Sequence, residues 1–409
     1  MAVAQSFNPG TGRRWAAAVS TLAAAALLAA CGGGSGSAGD SASSASSSAM
    51  SAQASLGELI FKDVSLSASG RQSCATCHSP DAGHSAANAL AAQPGGIALE
   101  LQGTRGAPSI RYLASNRAFR FAADGTPTGG FFWDGRATSL QQQAAEPFLN
   151  ALEMANASRA EVVTRLARAS YASEFKRVFG ANIFSRPEDA YERLTLALQQ
   201  YQLEDGDFRP FSSKYDDFLA GQAKLADNEL RGLALFNSPA KGNCAACHPS
   251  AKGADGSPPL FTDFSFDNLG VPRNAELAVN ADPAFFDLGL CARAGGDLAA
   301  RVDLCGAFKV PSLRNVALRG SFFHNGRYKT LKEALTFYVQ RDTNPEKFYP
   351  ANADGTVRKF DDLPAAYQAN VNTSEAPYNR RPGDAPALSD AEIDDLIAFL
   401  RTLSDRSAS

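Results

Sequence analysis

The sequence lacks the features that mark nucleic-acid binding or membrane spanning. Acidic residues outnumber basic ones, 42 to 39, and no run of five basic residues occurs. That argues against a nucleic-acid partner. Beyond the first thirty residues no apolar stretch is long enough to cross a bilayer. Strand-like alternation is also scarce, which leaves a mostly α-helical chain with long, structured loops as the expected fold class. Metal-binding side chains are few as well. There are four histidines and three methionines, and only Met50 and Met154 lie beyond the first thirty residues. Any metal or cofactor site must be built from a short list.

The first thirty residues read as an export leader. Arg13 and Arg14 form a positive start, and an Ala- and Leu-rich run follows from Trp15 to Ala30. The run ends Leu28-Ala29-Ala30-Cys31-Gly32, which resembles a bacterial lipoprotein cleavage box. Cys31 would then be the lipidated first residue of the mature chain, the only membrane attachment expected. The alternative is a simple secretory signal with a chance cysteine. Without residues 1–30 the chain has 37 basic and 42 acidic residues, a net charge of −5. Residues 31–54 are largely Gly, Ser and Ala, the composition of a flexible tether.

Seven cysteines fall into three groups. Cys31 belongs to the leader. Cys74, Cys77, Cys244 and Cys247 form two C-x-x-C pairs. Cys291 and Cys305 remain, and in an exported chain they are expected to form a disulfide. Two free buried thiols are the alternative.

Two stretches repeat one another. Leu56-Gly57-Glu58-Leu59-Ile60-Phe61 precedes Cys74-Ala75-Thr76-Cys77-His78, and Leu230 to Phe236 precedes Cys244-Ala245-Ala246-Cys247-His248. The motifs start 170 residues apart. Two tandem domains, 55–215 and 216–405, explain this better than one large domain. Each half is expected to close with a helix. One runs from Arg186 to Leu203 with Pro187 near its start. The other follows the capping box Ser389/Glu392 and presents Ile393, Leu396, Ile397, Leu400 and Leu403 on one face.

C-x-x-C-H is the attachment signal of c-type haem. Two thiols form thioethers with the porphyrin, and the adjacent histidine supplies the proximal nitrogen. His78 and His248 are thus candidate proximal ligands. A redox dithiol does not need the histidine, and 170 residues exceed the usual zinc-ribbon spacing. Other axial ligands must come from His84, His324, methionine or tyrosine, or be absent.

From Leu56 to about Leu403 the chain resembles the bacterial di-haem cytochrome c peroxidase and MauG family. Beyond the haem motifs, the resemblance rests on Phe132-Trp133-Asp134-Gly135-Arg136-Ala137 and Leu152-Glu153-Met154-Ala155-Asn156. It rests also on Phe308-Lys309-Val310-Pro311-Ser312-Leu313-Arg314-Asn315-Val316 and Phe323-His324-Asn325-Gly326. It implies two cytochrome c-like domains, each with one covalent haem c, and a reaction with hydrogen peroxide. The other substrate would be a small periplasmic electron-transfer protein or a partner protein whose residues are oxidised. A di-haem electron carrier without chemistry of its own is the alternative.

The resemblance also implies individual roles. Trp133 matches the tryptophan between the haems. Gln143 and Glu153 match a distal glutamine and the distal acid of the peroxide-binding haem, and Pro147 matches a proline over the same haem. His324 matches a histidine near the second haem. Tyr338, fourteen residues on, takes the position where many members have a methionine ligand and MauG has a tyrosine ligand. His84 comes too early to be a distal ligand and reads as a loop residue. The position of the distal histidine found in other members, sixteen residues after His78, is Pro94. Both exchanges imply a first haem that is open to peroxide without prior reduction. Gly106 stands where the family has an asparagine calcium ligand, which argues against calcium between the domains.

Overall fold

The computed structural model describes residues 49–406. The leader, Cys31 and most of the tether lie outside them. Among the described residues there are ten α-helices, numerous single-turn 3₁₀ segments and three two-stranded antiparallel pairs. The chain is mainly helical, with long connections.

Two helix pairs build most of the hydrophobic interior. In the N-terminal half, Ala52–Lys62 packs on Pro187–Glu204. The first is capped by Ser51, whose hydroxyl accepts the Ala54 N–H, and it buries Leu56, Ile60 and Phe61. The second starts on Pro187, with Glu188 and Asp189 in its first turn, where acids favour the helix dipole. It buries Leu194, Leu198 and Tyr201. In the C-terminal half, Asp227–Asn237 packs on Asp390–Arg401. The expected capping box forms, and Ile393, Leu396, Leu400 and Leu403 are buried. Phe399 joins them, and Ile397 is half-buried. Two separate cores result, one ending at Phe208 and one beginning at Tyr215.

A glycine sits at each helix crossing. A Cβ on Gly57 would lie 2.0 Å from the Ala197 carbonyl oxygen, and one on Gly232 would lie 2.1 Å from that of Asp395. Both glycines belong to the repeated segments that precede the C-x-x-C-H motifs. They let two backbones touch where any side chain would separate them.

The chain end ties the halves together. The Asp405 carboxylate is fully buried. It accepts from the Tyr112 hydroxyl at 2.7 Å and from Asn315 Nδ2 at 2.6 Å. Its own N–H donates to Asn315 Oδ1 at 2.9 Å. Cys291 and Cys305 form the expected disulfide, which closes a small core around Phe266, Leu290 and Leu304.

Candidate active site

Each C-x-x-C-H motif is a single turn whose histidine is braced from behind. His78 Nδ1 donates to the His84 carbonyl at 3.2 Å, and His248 Nδ1 donates to the Phe261 carbonyl at 2.7 Å. With Nδ1 so engaged, Nε2 is the nitrogen left to bind a metal. Both bracing residues have positive φ, +53° in each case. That conformation costs on the order of 1–3 kcal/mol and persists only where the surroundings enforce it. His84 is therefore more than the loop residue that its spacing suggests. Its ring is fully buried, with Nε2 on Asp207 at 2.7 Å and its face stacked on Phe208.

Both motifs line one continuous cavity of about 660 Å³. Burial pushes the Cys74, Cys244 and Cys247 thiols up to about 12 and Cys77 to about 11. Redox-active dithiols show the opposite shift, so the structure disfavours that reading. Burial also lowers both histidines, His78 to about 4, which keeps them neutral and able to ligate. Among the described residues no three or more His, Cys, Asp or Glu are grouped to hold a bare metal ion. Two thiols and one imidazole nitrogen in each half, facing a largely apolar cavity, fit two c-type haems.

The other singled-out residues meet at the same cavity: Trp133, Gln143, Pro147, Glu153, His324 and Tyr338 all line it. The helix Leu140–Leu149, capped by Ser139, carries Gln143 and Pro147. Of its three adjacent glutamines only Gln143 faces the cavity. Gln142 bonds to Thr138, and Gln141 bonds to Glu192. Glu153 accepts from Asn150 Nδ2 at 2.8 Å. Burial raises its pKa, against the opposing pull of Arg136 and the Asn150 hydrogen bond. Trp133 is buried, and its Nε1 donates to the Gly106 carbonyl at 2.8 Å. His324 stacks flat on Phe308, with ring centroids 3.5 Å apart. Burial pushes the Tyr338 hydroxyl well above its ordinary range, so the phenol keeps its proton.

These residues belong to a second internal repeat. Phe131-Phe132-Trp133-Asp134-Gly135-Arg136 and Phe322-Phe323-His324-Asn325-Gly326-Arg327 form the same loop. Phe132 and Phe323 share a φ of +66°, and Phe131 and Phe322 close equivalent bridges. The helices that follow, Leu140–Leu149 and Leu331–Gln340, begin in the same register. Trp133 is thus the counterpart of His324, and Pro147 the counterpart of Tyr338, each pair 191 residues apart. One half offers the cavity a proline without a donor atom, and the other offers a phenol. A third repeat, Pro108-Ser109-Ile110-Arg111 and Pro311-Ser312-Leu313-Arg314, brings Pro108 beside His78 and Pro311 beside His248. Ser109 and Ser312 each donate to a backbone carbonyl, of Gly83 and Leu260.

Gly106 links the two copies. Its N–H donates to the His324 carbonyl at 2.8 Å, while its own carbonyl holds Trp133. Arg105 beside it pairs with Asp134 and Asp287.

Known proteins resemble this chain along most of its length. A family model described as di-haem cytochrome c peroxidase matches residues 51–224. The methylamine utilization protein MauG of Paracoccus denitrificans is 36% identical over 88% of this chain and 90% of its own length. The cytochrome c551 peroxidase of Nitrosomonas europaea is 30% identical over 69% of this chain and 71% of its own. Among solved structures, the diheme peroxidase BthA of Burkholderia thailandensis is 40% identical, with a TM-score of 0.79 over 86% of both chains. The chain belongs to the di-haem cytochrome c peroxidase and MauG family of haem oxidoreductases.

Proposed function

We propose that this enzyme is exported and attacks peroxide in its N-terminal half while its C-terminal half stays closed. The observation that carries this reading is the Pro147/Tyr338 pair, one position of a duplicated helix with and without a ligand atom. Cys74, Cys77 and His78 hold the reactive haem covalently. Cys244, Cys247 and His248 would hold the other, and Tyr338 would add its phenolic oxygen to that site. A phenolate is an anionic ligand that lowers the haem potential, where a thioether raises it. The break between the two cores, after Phe208 and before Tyr215, supports two domains, with Tyr215 and its helix Lys214–Leu219 on the C-terminal side rather than ending the first domain.

When bound, a haem would supply the iron that peroxide meets and the electrons that cleavage of its O–O bond consumes. The chain supplies proton handling and orientation. Glu153 takes the proton from one peroxide oxygen and returns it to the departing one. Gln143 orients peroxide through its amide. Pro147 leaves the distal face open. Trp133, on the N-terminal copy of the repeated loop and held by the Gly106 carbonyl, relays charge between the halves. His324 stands near the second haem at the counterpart position. A calcium ion between the halves is in doubt, because Gly106 offers no side-chain ligand.

The second substrate is a small periplasmic electron-transfer protein or a protein that is itself oxidised, by analogy with the cytochrome c551 peroxidase and MauG relatives. The enzyme sits in the periplasm, tethered through a lipid on Cys31. No helix among the described residues is long and apolar enough to cross a membrane.

Stopped-flow mixing of the fully oxidised protein with peroxide, without an electron donor, should give an immediate change in the haem bands. No change until a donor is added would place a closing ligand on the first haem and overturn the reading. Mass spectrometry of the denatured mature protein should find two haem additions and an acylated Cys31 at the N-terminus. One haem, or an unmodified Cys31, would remove the corresponding part of the proposal.

A further inference from the structure

The cavity is lined by six cationic side chains, and five of them are engaged with the protein. Arg105 pairs with Asp134 and Asp287, Arg111 with Asp207, Arg136 with Asp134 and Glu146, and Arg314 with Asp216. Lys309 gives its Nζ to the Gly130 carbonyl and lies within reach of the Asp134 charge. Arg319 is the exception. Its single protein hydrogen bond runs from Nε to the Ser321 carbonyl at 3.3 Å, and its two Nη groups have no protein acceptor. No carboxylate pairs with it, and burial alone lowers it to about 10.

The position itself has diverged between the halves. Arg319 follows the 3₁₀ turn Val316–Leu318, and its repeat counterpart, after Leu113–Ser115, is Asn116. Asn116 is buried and spends its amide on the Gly130 carbonyl at 2.6 Å. The C-terminal copy instead carries a long cation. Gly320 beside it packs against the backbone of Asn88 and Ala89, so this C-terminal segment lies on the N-terminal half. Arg319 is close enough to His78 for its charge to weigh on that imidazole.

Arg319 is half-buried and faces the cavity, and a guanidinium drawn out of solvent without a counter-charge is retained where an anion completes it. A planar fork with both Nη groups free is shaped for a carboxylate. We propose that Arg319 binds a propionate carboxylate of the haem carried by Cys74, Cys77 and His78, so that the C-terminal half anchors the haem of the N-terminal half. This inference rests on the two-haem reading above.

The test uses purified holoprotein, with Arg319→Gln and Arg319→Lys compared with wild type. Each haem is titrated potentiometrically through its own absorption bands, and propionate bending modes are followed by resonance Raman. A nearby cation favours the reduced haem, because oxidation adds a positive charge. Arg319→Gln should therefore shift the oxidised-to-reduced ratio of the five-coordinate haem about tenfold toward oxidised at fixed potential, or about 59 mV for one electron. The six-coordinate haem should move much less. Arg319→Lys should recover most of the shift. Arg319→Asn, which copies the counterpart residue, serves if the Gln variant does not accumulate. An unshifted first haem, with both haems present by mass, would overturn the proposal. So would a Lys variant that behaves like Gln, since that marks a merely structural role. Protein without covalent haem would overturn this proposal together with the reading beneath it.

Discussion

Replacing Glu153 by glutamine is expected to slow the reaction with peroxide by about 100-fold or more, the usual size of an acid–base contribution. The substitution keeps the shape of the side chain. Asn150 Nδ2 can still donate to the remaining carbonyl oxygen, as it does to Glu153 Oε1 now. What disappears is the proton acceptor. Pre-steady-state rates at the first haem, with haem content held equal, read the effect directly. Because burial raises the Glu153 pKa, the base form is lost as pH falls through a value above the ordinary carboxylate range. The wild-type rate should therefore fall on the acid side, and the Gln variant should lose that limb. An unchanged rate with the limb intact would give the proton work to another group.

The second large effect concerns stability. Gly57→Ala and Gly232→Ala are each expected to destabilise the protein by about 2 kcal/mol or more, the size of forced overpacking in a core. Helix propensity pushes the other way, since alanine in mid-helix is favoured over glycine by roughly 1 kcal/mol. Contact decides. The added Cβ would stand 2.0 Å from a carbonyl oxygen at Gly57 and 2.1 Å at Gly232, and neither neighbour is the movable end of a side chain. Gly206 has nothing within 4 Å of its Cβ position, so Gly206→Ala is the neutral control. Denaturant midpoints of the three variants measure the difference. A Gly57→Ala protein as stable as the Gly206→Ala control would show that the helices can separate at no cost.

The features legible in the sequence were those with local chemistry. The two C-x-x-C-H motifs, Pro187 at a helix start and the Ser389/Glu392 box each act within a few residues, and spacing alone reveals them. The cavity residues were legible only through family resemblance, because their convergence depends on the tertiary fold. Gln143 shows the limit. Three consecutive glutamines look alike, and only the cavity distinguishes the third. His84 shows it again, since it acts through its carbonyl oxygen and side-chain identity says nothing about that. The repeat of Phe131–Arg136 in Phe322–Arg327 was present in the sequence. Its spacing of 191 residues differs from the 170 of the haem motifs, so one fixed period does not expose it. The three short strand pairs, two residues each, carry no alternation to read.

The Asp405 carboxylate gives the duplicated chain a property that neither copy has alone. Beside the Ser212 N–H and the Arg111 guanidinium, it is held by Tyr112 and Asn315, which occupy equivalent places in the two copies, next to Arg111 and Arg314, with φ of +64° and +62°. Opening either copy strips one donor from a fully buried negative charge and leaves it to the other copy to hold. Melting of one half is therefore expected to weaken the other, unlike beads on a string. A single cooperative unfolding transition is the expected result, with its fastener in the last residues of the described chain.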